Sequence, residues 1–382
     1  MDFALSEEQT ILRENIVRFA RAELNGDVAR RDREHAFPRD LWEKCGTLAI
    51  PGLPVPEEYG GGGLDALSTI VALEALGYGC EDGGLVFSLC AHLLPCVVPI
   101  WTFGSEEQKR RYLPGLCNGT RIAVNGMTEP DSGSDAFSMT TRAEPDGDGF
   151  RINGAKIFSS NGPVADLALV FAVTDPVKRY HGGITAFLVE KGTPGFTASQ
   201  TFEKMGLRTS PIGELLLRDV RVPREAVLGR VGGGAALFTH SMDWERVGLF
   251  ATHVGAMERL LEKSVAQARS RKQFGQSIGK YQAISHRIAD MKVALEAARL
   301  LVYRGAWRLG QGRSASLDAS IAKLFVSEAL VQTALGAVQV HGGYGFLTET
   351  GVERALRDAV GSTLYSGTSE MQRNIIASWL GL

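Results

Sequence analysis

The segment Met242-Asp243-Trp244-Glu245-Arg246 sets two carboxylates beside a guanidinium. Glu245 opens an otherwise apolar stretch containing Val247, Leu249, Phe250 and Ala251. A carboxylate among apolar groups is pushed toward a pKa at which it can take a proton near neutrality. The same residue also reads as a solvated glutamate on a helix surface. A second segment, Tyr365-Ser366-Gly367-Thr368, offers hydroxyls, but a serine is no base unless another group activates it. The third, Met127-Thr128-Glu129-Pro130-Asp131-Ser132-Gly133-Ser134-Asp135, is rich in hydroxyls and backbone donors that can wrap a polar ring edge or a phosphate. It reads equally as a capped turn.

Other chemistries lack their residues. No G-x-G-x-x-G, G-x-S-x-G or H-E-x-x-H occurs, and the stretch Gly275 to Tyr281 is too short between its glycines for a phosphate loop. No metal site is expected from seven scattered histidines. The five cysteines (45, 80, 90, 96 and 117) form no C-x-x-C and read as reduced, partly buried thiols of a cytoplasmic protein. A net charge of −2 argues against nucleic acid as the main partner. No uninterrupted apolar run is long enough for a membrane span, and the acidic stretch Met1 to Gln9 does not look like an export signal.

The elements that must hold these segments fall into three regions of 382 residues. Residues 1–120 read as short helices, with capping boxes at Ser6-Glu7-Glu8-Gln9 and Ser105-Glu106-Glu107-Gln108. An apolar helix is expected over Leu64 to Leu76, after the glycine run that follows Tyr59. Residues 121–234 read as strands at Phe150 to Phe158, Leu167 to Val173, Ile184 to Val189 and Glu214 to Val222, making a small β-barrel or sandwich. Residues 235–382 show apolar positions stepping by three and four, as in Ile284, Ile288, Met291, Leu295, Ala298 and Val302. Three such helices and a last one over Met371 to Leu380 predict a four-helix bundle. The fold class is α+β.

The loop Thr128-Glu129-Pro130-x-x-Gly133-Ser134-Asp135 resembles the flavin-binding signature of the acyl-CoA dehydrogenase family. Four further segments follow in the family's order: Lys156 to Gly162; Arg271-Lys272-Gln273-Phe274-Gly275 with Gln282; Gln339 to Gly345; and Gly367-Thr368-Ser369. The resemblance covers nearly the whole chain. It implies FAD, with Asn125, Met127, Thr128, Gly133, Ser134, Phe158, Ser159 and Ser160 along its isoalloxazine ring. Arg271, Phe274, Gln282, Gln339, Gly342 and Gly343 would take its ADP half across a subunit interface, with Thr368 and Glu370 as further cofactor positions. Phe158 stands where the family commonly has Trp.

The family removes an α proton and a β hydride from an acyl thioester. Many members place the catalytic Glu where this chain has Ser366. Isovaleryl-CoA-type members place it on the bundle helix, where this chain has Glu245, so the resemblance assigns the base to Glu245. It leaves Ser366 only its backbone N–H, which makes Ser366→Ala mild. Ser134, Asp243, Arg246, Tyr365 and Ser366 are the implied substrate contacts. The segments around the acyl site are most similar to those of prolyl-carrier-protein dehydrogenases. That similarity implies an acyl or aminoacyl group, L-prolyl first, on the phosphopantetheine arm of an acyl- or peptidyl-carrier protein. Electrons would pass to an electron-transfer flavoprotein or to oxygen, and a homo-oligomer is expected, a dimer or a homotetramer. A short branched-chain acyl-CoA dehydrogenase and a flavin-binding scaffold without activity are the alternatives.

Overall fold

The computed structural model describes residues 4–382; Met1, Asp2 and Phe3, the start of the stretch read as lacking an export signal, lie outside them. Seven helices come first: α1 (Glu7–Glu23), α2 (Val28–Glu34), α3 (Arg39–Gly46), α4 (Ala66–Gly79), α5 (Gly83–His92), α6 (Val98–Phe103) and α7 (Glu106–Cys117). Both capping boxes form as read, at the starts of α1 and α7. Pro95, which has no N–H to donate, lies in a π-turn over Leu93–Val97 that joins α5 to α6 in one rod. By length and mean composition this rod and α10 below could cross a bilayer, though neither is an uninterrupted apolar run. Its apolar window is 83% buried inside the protein, as a core helix would be.

Eight strands follow: β1 (Ala123–Gly126), β2 (Arg142–Asp146), β3 (Gly149–Ser160), β4 (Leu167–Val173), β5 (Ile184–Glu190), β6 (Phe196–Thr201), β7 (Ile212–Val222) and β8 (Val227–Leu228). They form one sheet ordered β6-β7-β3-β2-β4-β5-β8, with β1 parallel to β4. β2 meets β4 only through Arg142 and Val173, so the sheet divides there. Side chains of both halves share one apolar cluster that includes Ile152, Val170 and Leu217. In it Phe150 of β3 packs edge-on against Phe187 of β5 at 5.2 Å. The arrangement is a sandwich; β6 and β8 stay as edges and no barrel closes.

Helices return as α8 (Gly234–Ser270), α9 (Gln282–Gly310) and α10 (Ser316–His341), then α11 (Gly343–Phe346), α12 (Val352–Val360) and α13 (Ser369–Trp379). A hairpin of β9 (Lys272–Gln273) and β10 (Gln276–Ser277) links α8 to α9. The first three long helices and α13 appear as expected. α12, which the apolar stepping did not reveal, also packs on α10. The N-terminal helices and the bundle share one core. α4 lies so close to α8 that a Cβ on Gly77 would stand 2.0 Å from the Thr252 carbonyl oxygen. That close approach fixes α8, the helix that carries Glu245.

Candidate active site

Glu245 lies midway along the first half of α8 and is half-buried. Burial pushes its carboxyl above the ordinary range, while a hydrogen bond from Ser366 and the nearby Arg246 charge pull the other way. The Ser366 hydroxyl donates to Glu245 Oε1 at 2.5 Å. This corrects the expectation that only the Ser366 backbone acts. Ser366 is also held by its peptide: its carbonyl accepts from Arg246 Nε at 3.1 Å and from Gln372 Nε2 at 3.2 Å. Its φ of +57° lies in the left-handed region, a strained setting for serine. Among the described residues its N–H has no protein acceptor.

Asp243, read as a substrate contact and as the competing carboxylate, is engaged elsewhere. Its Oδ2 accepts from the Ala315 N–H at 3.1 Å and its Oδ1 from the Ser316 hydroxyl at 2.8 Å. It therefore ties α8 to the start of α10. Tyr365 packs its ring 4.8 Å from Phe87 and 6.1 Å from Phe250, and its hydroxyl lies 2.7 Å from His253 Nε2. The Thr252 hydroxyl donates to the Leu249 carbonyl at 2.6 Å, so it can only accept from His253 Nδ1, at 3.3 Å. His253 Nε2 is then the acceptor and the Tyr365 hydroxyl the donor. Burial holds this histidine neutral, with a pKa near 3. Phe87, Phe250, His253 and Tyr365 thus form one packed aromatic cluster. Neither Phe87 nor His253 was singled out by sequence: Phe87 lies on another helix, and His253, eight residues beyond Glu245 on α8, belongs to no motif.

The loop of 127–135 is anchored from beneath. Lys156 of β3 is fully buried and its Nζ donates to Glu129 Oε1 at 2.8 Å and to the Met127 carbonyl at 3.1 Å. Glu129 also accepts from the Thr140 and Thr141 N–H groups at 2.6 and 3.0 Å. Burial alone would raise the Glu129 carboxyl, but Lys156 and these donors bring it down to about 2. Burial lowers the Lys156 ammonium to about 8 despite its partner. Lys156 shares the inward face of β3 with Phe150 and Ile152, so alternation did signal an interior lysine in need of a carboxylate.

That alternation breaks at a bulge between Lys156 and Ser159. Phe158, at a parity that would otherwise point inward, is 61% exposed with φ +54°. Among the described residues, the buried Ser159 Oγ beside it has no protein partner, and neither has Asn125 Oδ1 at the end of β1. Thr128 and Ser160 are half-buried here, and Gly133 and Ser134 lie exposed on the loop. An aromatic face, two orphaned polar atoms and a rigid hydroxyl-rich loop suit the edge and face of a flavin ring.

A second site lies at the far end of the bundle. Arg271, Phe274, Gln339, Gly342 and Gly343 line one open cleft of about 840 Å³ between the α8–α9 hairpin and the end of α10. Phe274, at the hairpin tip, is 94% exposed with φ +50°. Gly342 has φ +60°, and a Cβ on Gly342 or Gly343 would meet nothing within 4 Å, so a ligand can approach the backbone closely. Gln282 opens α9 just outside this lining. Thr368 caps α13, accepting from the Met371 N–H, and Glu370 lies exposed in its first turn. None of residues 125–160 lines the cleft.

Three family models match in order: the acyl-CoA dehydrogenase N-terminal domain over residues 6–120, the middle domain over 125–220 and the C-terminal domain over 232–381. An L-prolyl-[peptidyl-carrier protein] dehydrogenase from a Serratia species is 42% identical, with 100% of this chain and 99% of that protein covered. The crystal structure of the prolyl acyl carrier protein oxidase AnaB superposes with a TM-score of 0.97 at 47% identity, covering 99% of this chain and all of the other. A structure of PigA with FAD and proline gives 0.98 at 42% identity over the full length of both. The chain belongs to the acyl-CoA dehydrogenase family and is an FAD-dependent oxidoreductase.

Proposed function

We propose that the protein dehydrogenates an L-prolyl thioester carried on the phosphopantetheine arm of a peptidyl-carrier protein. The observation that carries this reading is the contact between Glu245 and Ser366, which sets the carboxylate of α8 against the other family position for a base. Burial raises the pKa of that carboxyl, and the Ser366 side chain there is a hydroxyl that donates to it instead of a second base. Full-length similarity to enzymes named for the same substrate supports it.

In this mechanism Glu245 takes the α proton, and its burial-raised pKa makes the carboxylate a competent acceptor. The unpaired Ser366 N–H, held in place by Arg246 and Gln372, donates to the thioester oxygen where negative charge develops. Phe158, Thr128, Ser134 and Ser159 hold the flavin ring on the loop that Lys156 and Glu129 anchor. Bound there, FAD supplies the acceptor for the β hydride. One such oxidation removes two hydrogens and leaves an enamine or its imine; a second removes two more and gives the pyrrole. The cleft of Arg271, Phe274 and Gly342 takes the ADP half from a neighbouring subunit, so the working form is a homo-oligomer, a tetramer by family resemblance. The protein acts in the cytoplasm, over domains 1–120, 121–234 and 235–382. Its electrons go to an electron-transfer flavoprotein or to oxygen.

Mass spectrometry of a holo carrier protein loaded with L-proline tests the reading, with an acyl-CoA panel alongside. Loss of four hydrogens supports pyrrole formation, and loss of two supports a single oxidation. Turnover confined to isovaleryl- or isobutyryl-CoA refutes the proposal. Glu245→Gln should keep FAD and lose activity by several powers of ten.

A further inference from the structure

Two loops of the sandwich form an exposed patch that mixes apolar and basic side chains. The first is residues 175–183, between β4 and β5; the second, residues 229–233, leads into α8. They abut: a Cβ on Gly232 would stand 2.5 Å from the Gly182 carbonyl oxygen, and the Gly232 N–H donates to Thr185 Oγ1 at 2.9 Å. Val177, Tyr180 and Val231 are exposed on them, Val177 at 91%. Lys178, Arg179 and Arg230 are exposed beside these residues. Asp175, in the same loop, pairs with Lys178 at 3.1 Å. Among the described residues, Arg179 and Arg230 have no acidic partner.

The patch is joined to the candidate active site by rings packed edge to face. Tyr180 packs against Phe137 at 4.7 Å, and Phe137 packs against Phe238 of α8 at 5.8 Å. Phe137 belongs to the short turn that follows the loop ending at Asp135. Phe238 precedes Glu245 by two helical turns, about 10 Å along the axis. From Tyr180 over these rings and along two turns of α8 the route to the base is about 21 Å, comparable with an extended phosphopantetheine arm.

We infer that this patch docks the carrier protein, taking the acidic helix next to the serine that bears the arm. The inference rests on the carrier-bound substrate proposed above. Unpaired guanidinium groups around exposed apolar side chains complement an acidic amphipathic helix: the charges steer the encounter and the apolar groups hold the contact. A pantetheine thioester, which carries neither a protein nor a phosphate, has no use for them.

The test compares two substrates that share one acyl group, L-prolyl-carrier protein and L-prolyl-S-pantetheine. With Arg179→Glu/Arg230→Glu, kcat/KM for the carrier substrate should fall about 10- to 100-fold while that for the pantetheine thioester is unchanged. Added salt should likewise slow the wild-type enzyme only with the carrier substrate. Equal kcat/KM for variant and wild type on carrier protein, or equal losses on both substrates, overturns the docking face. Titration of unloaded holo carrier protein onto the FAD-loaded enzyme gives a readout that needs no turnover. There the variant should bind at least about tenfold more weakly, and unchanged binding overturns the inference. Wild-type enzyme that oxidises neither prolyl thioester, yet binds the carrier in a charge-dependent way, refutes the prolyl assignment and upholds the surface.

Discussion

Replacing Ser366 with alanine removes one hydroxyl and leaves the peptide that Arg246 and Gln372 hold. Alanine also carries a Cβ, so the left-handed backbone at φ +57° is as strained in the variant as in the parent. Glycine would relieve that strain and blur the comparison. The lost contact is the hydroxyl donated to Glu245 Oε1 at 2.5 Å. A hydrogen bond to an ionised group contributes about 1.5–3 kcal/mol. It stabilises only the carboxylate form, so its removal adds to the effect of burial and raises the Glu245 pKa further. The base must be deprotonated to act. On the acid limb of the pH profile, kcat/KM should therefore fall about 10- to 150-fold. At alkaline pH, where both enzymes hold the carboxylate, most of the loss should vanish. The assay is flavin bleaching by prolyl-carrier protein in single turnover, across pH. Superimposable profiles would refute a role for the hydroxyl. A loss of the same size at every pH would refute its effect on the base's protonation.

Lys156→Met should leave Glu129 buried without its cation, lowering stability by about 3–5 kcal/mol in urea unfolding and weakening FAD retention. Lys156→Met/Glu129→Gln should recover part of both, and an unchanged unfolding midpoint in the single variant would contradict the anchoring role. His92 is buried, accepts from the Ala123 N–H at 2.9 Å and donates to the Leu116 carbonyl at 3.1 Å, and burial lowers its pKa from 6.5 to about 3. Its unfolded form binds the proton more readily, so its share of stability is complete above pH 6.5 and is lost as pH falls toward 3, by up to about 4–5 kcal/mol. His92→Gln should flatten that dependence in denaturant titrations, and an unaltered slope would reject the assignment. Because Ser366 and Glu245 touch, Ser366→Glu/Glu245→Gly should return measurable bleaching to the inactive Glu245→Gly enzyme; none would mean the two positions do not face one α-carbon.

Local signals in the sequence were faithful at the capping boxes and at the clearest strand. The two capping boxes form because each serine and its glutamine partner lie within one turn. β4 spans the predicted Leu167–Val173, since a continuous apolar run between turns has few other uses. Contacts made across the chain were not legible. Ser366 meets Glu245 across 121 residues, and Asp243 meets Ser316 across 73. No period in either segment announces its partner. Asp243 and Glu245 looked alike as neighbouring carboxylates, yet one ties α8 to α10 and the other faces Ser366. The two residues stand about 200° apart around the helix, which is enough to divide their roles.

Phe158 shows a different limit. Its aromatic type was readable, but not its orientation. A single bulge reverses the alternation of β3 and turns the ring from the core to the surface. The bulge costs a strained backbone and exposes a large apolar face, and neither favours the fold in isolation. The buried Lys156–Glu129 pair next to it has a similar character: replacing such a pair by packed apolar residues is often neutral or stabilising. What both features achieve is a fixed position for the loop and ring against which a flavin packs. The same reasoning explains how the base can sit on α8. The Ser366 peptide is set by Arg246, Gln372 and its own φ, with no requirement on the side chain at that position. The oxyanion-binding geometry and the proton acceptor are thus built by separate elements. The carboxylate can move from one to the other while the thioester stays where the peptide holds it.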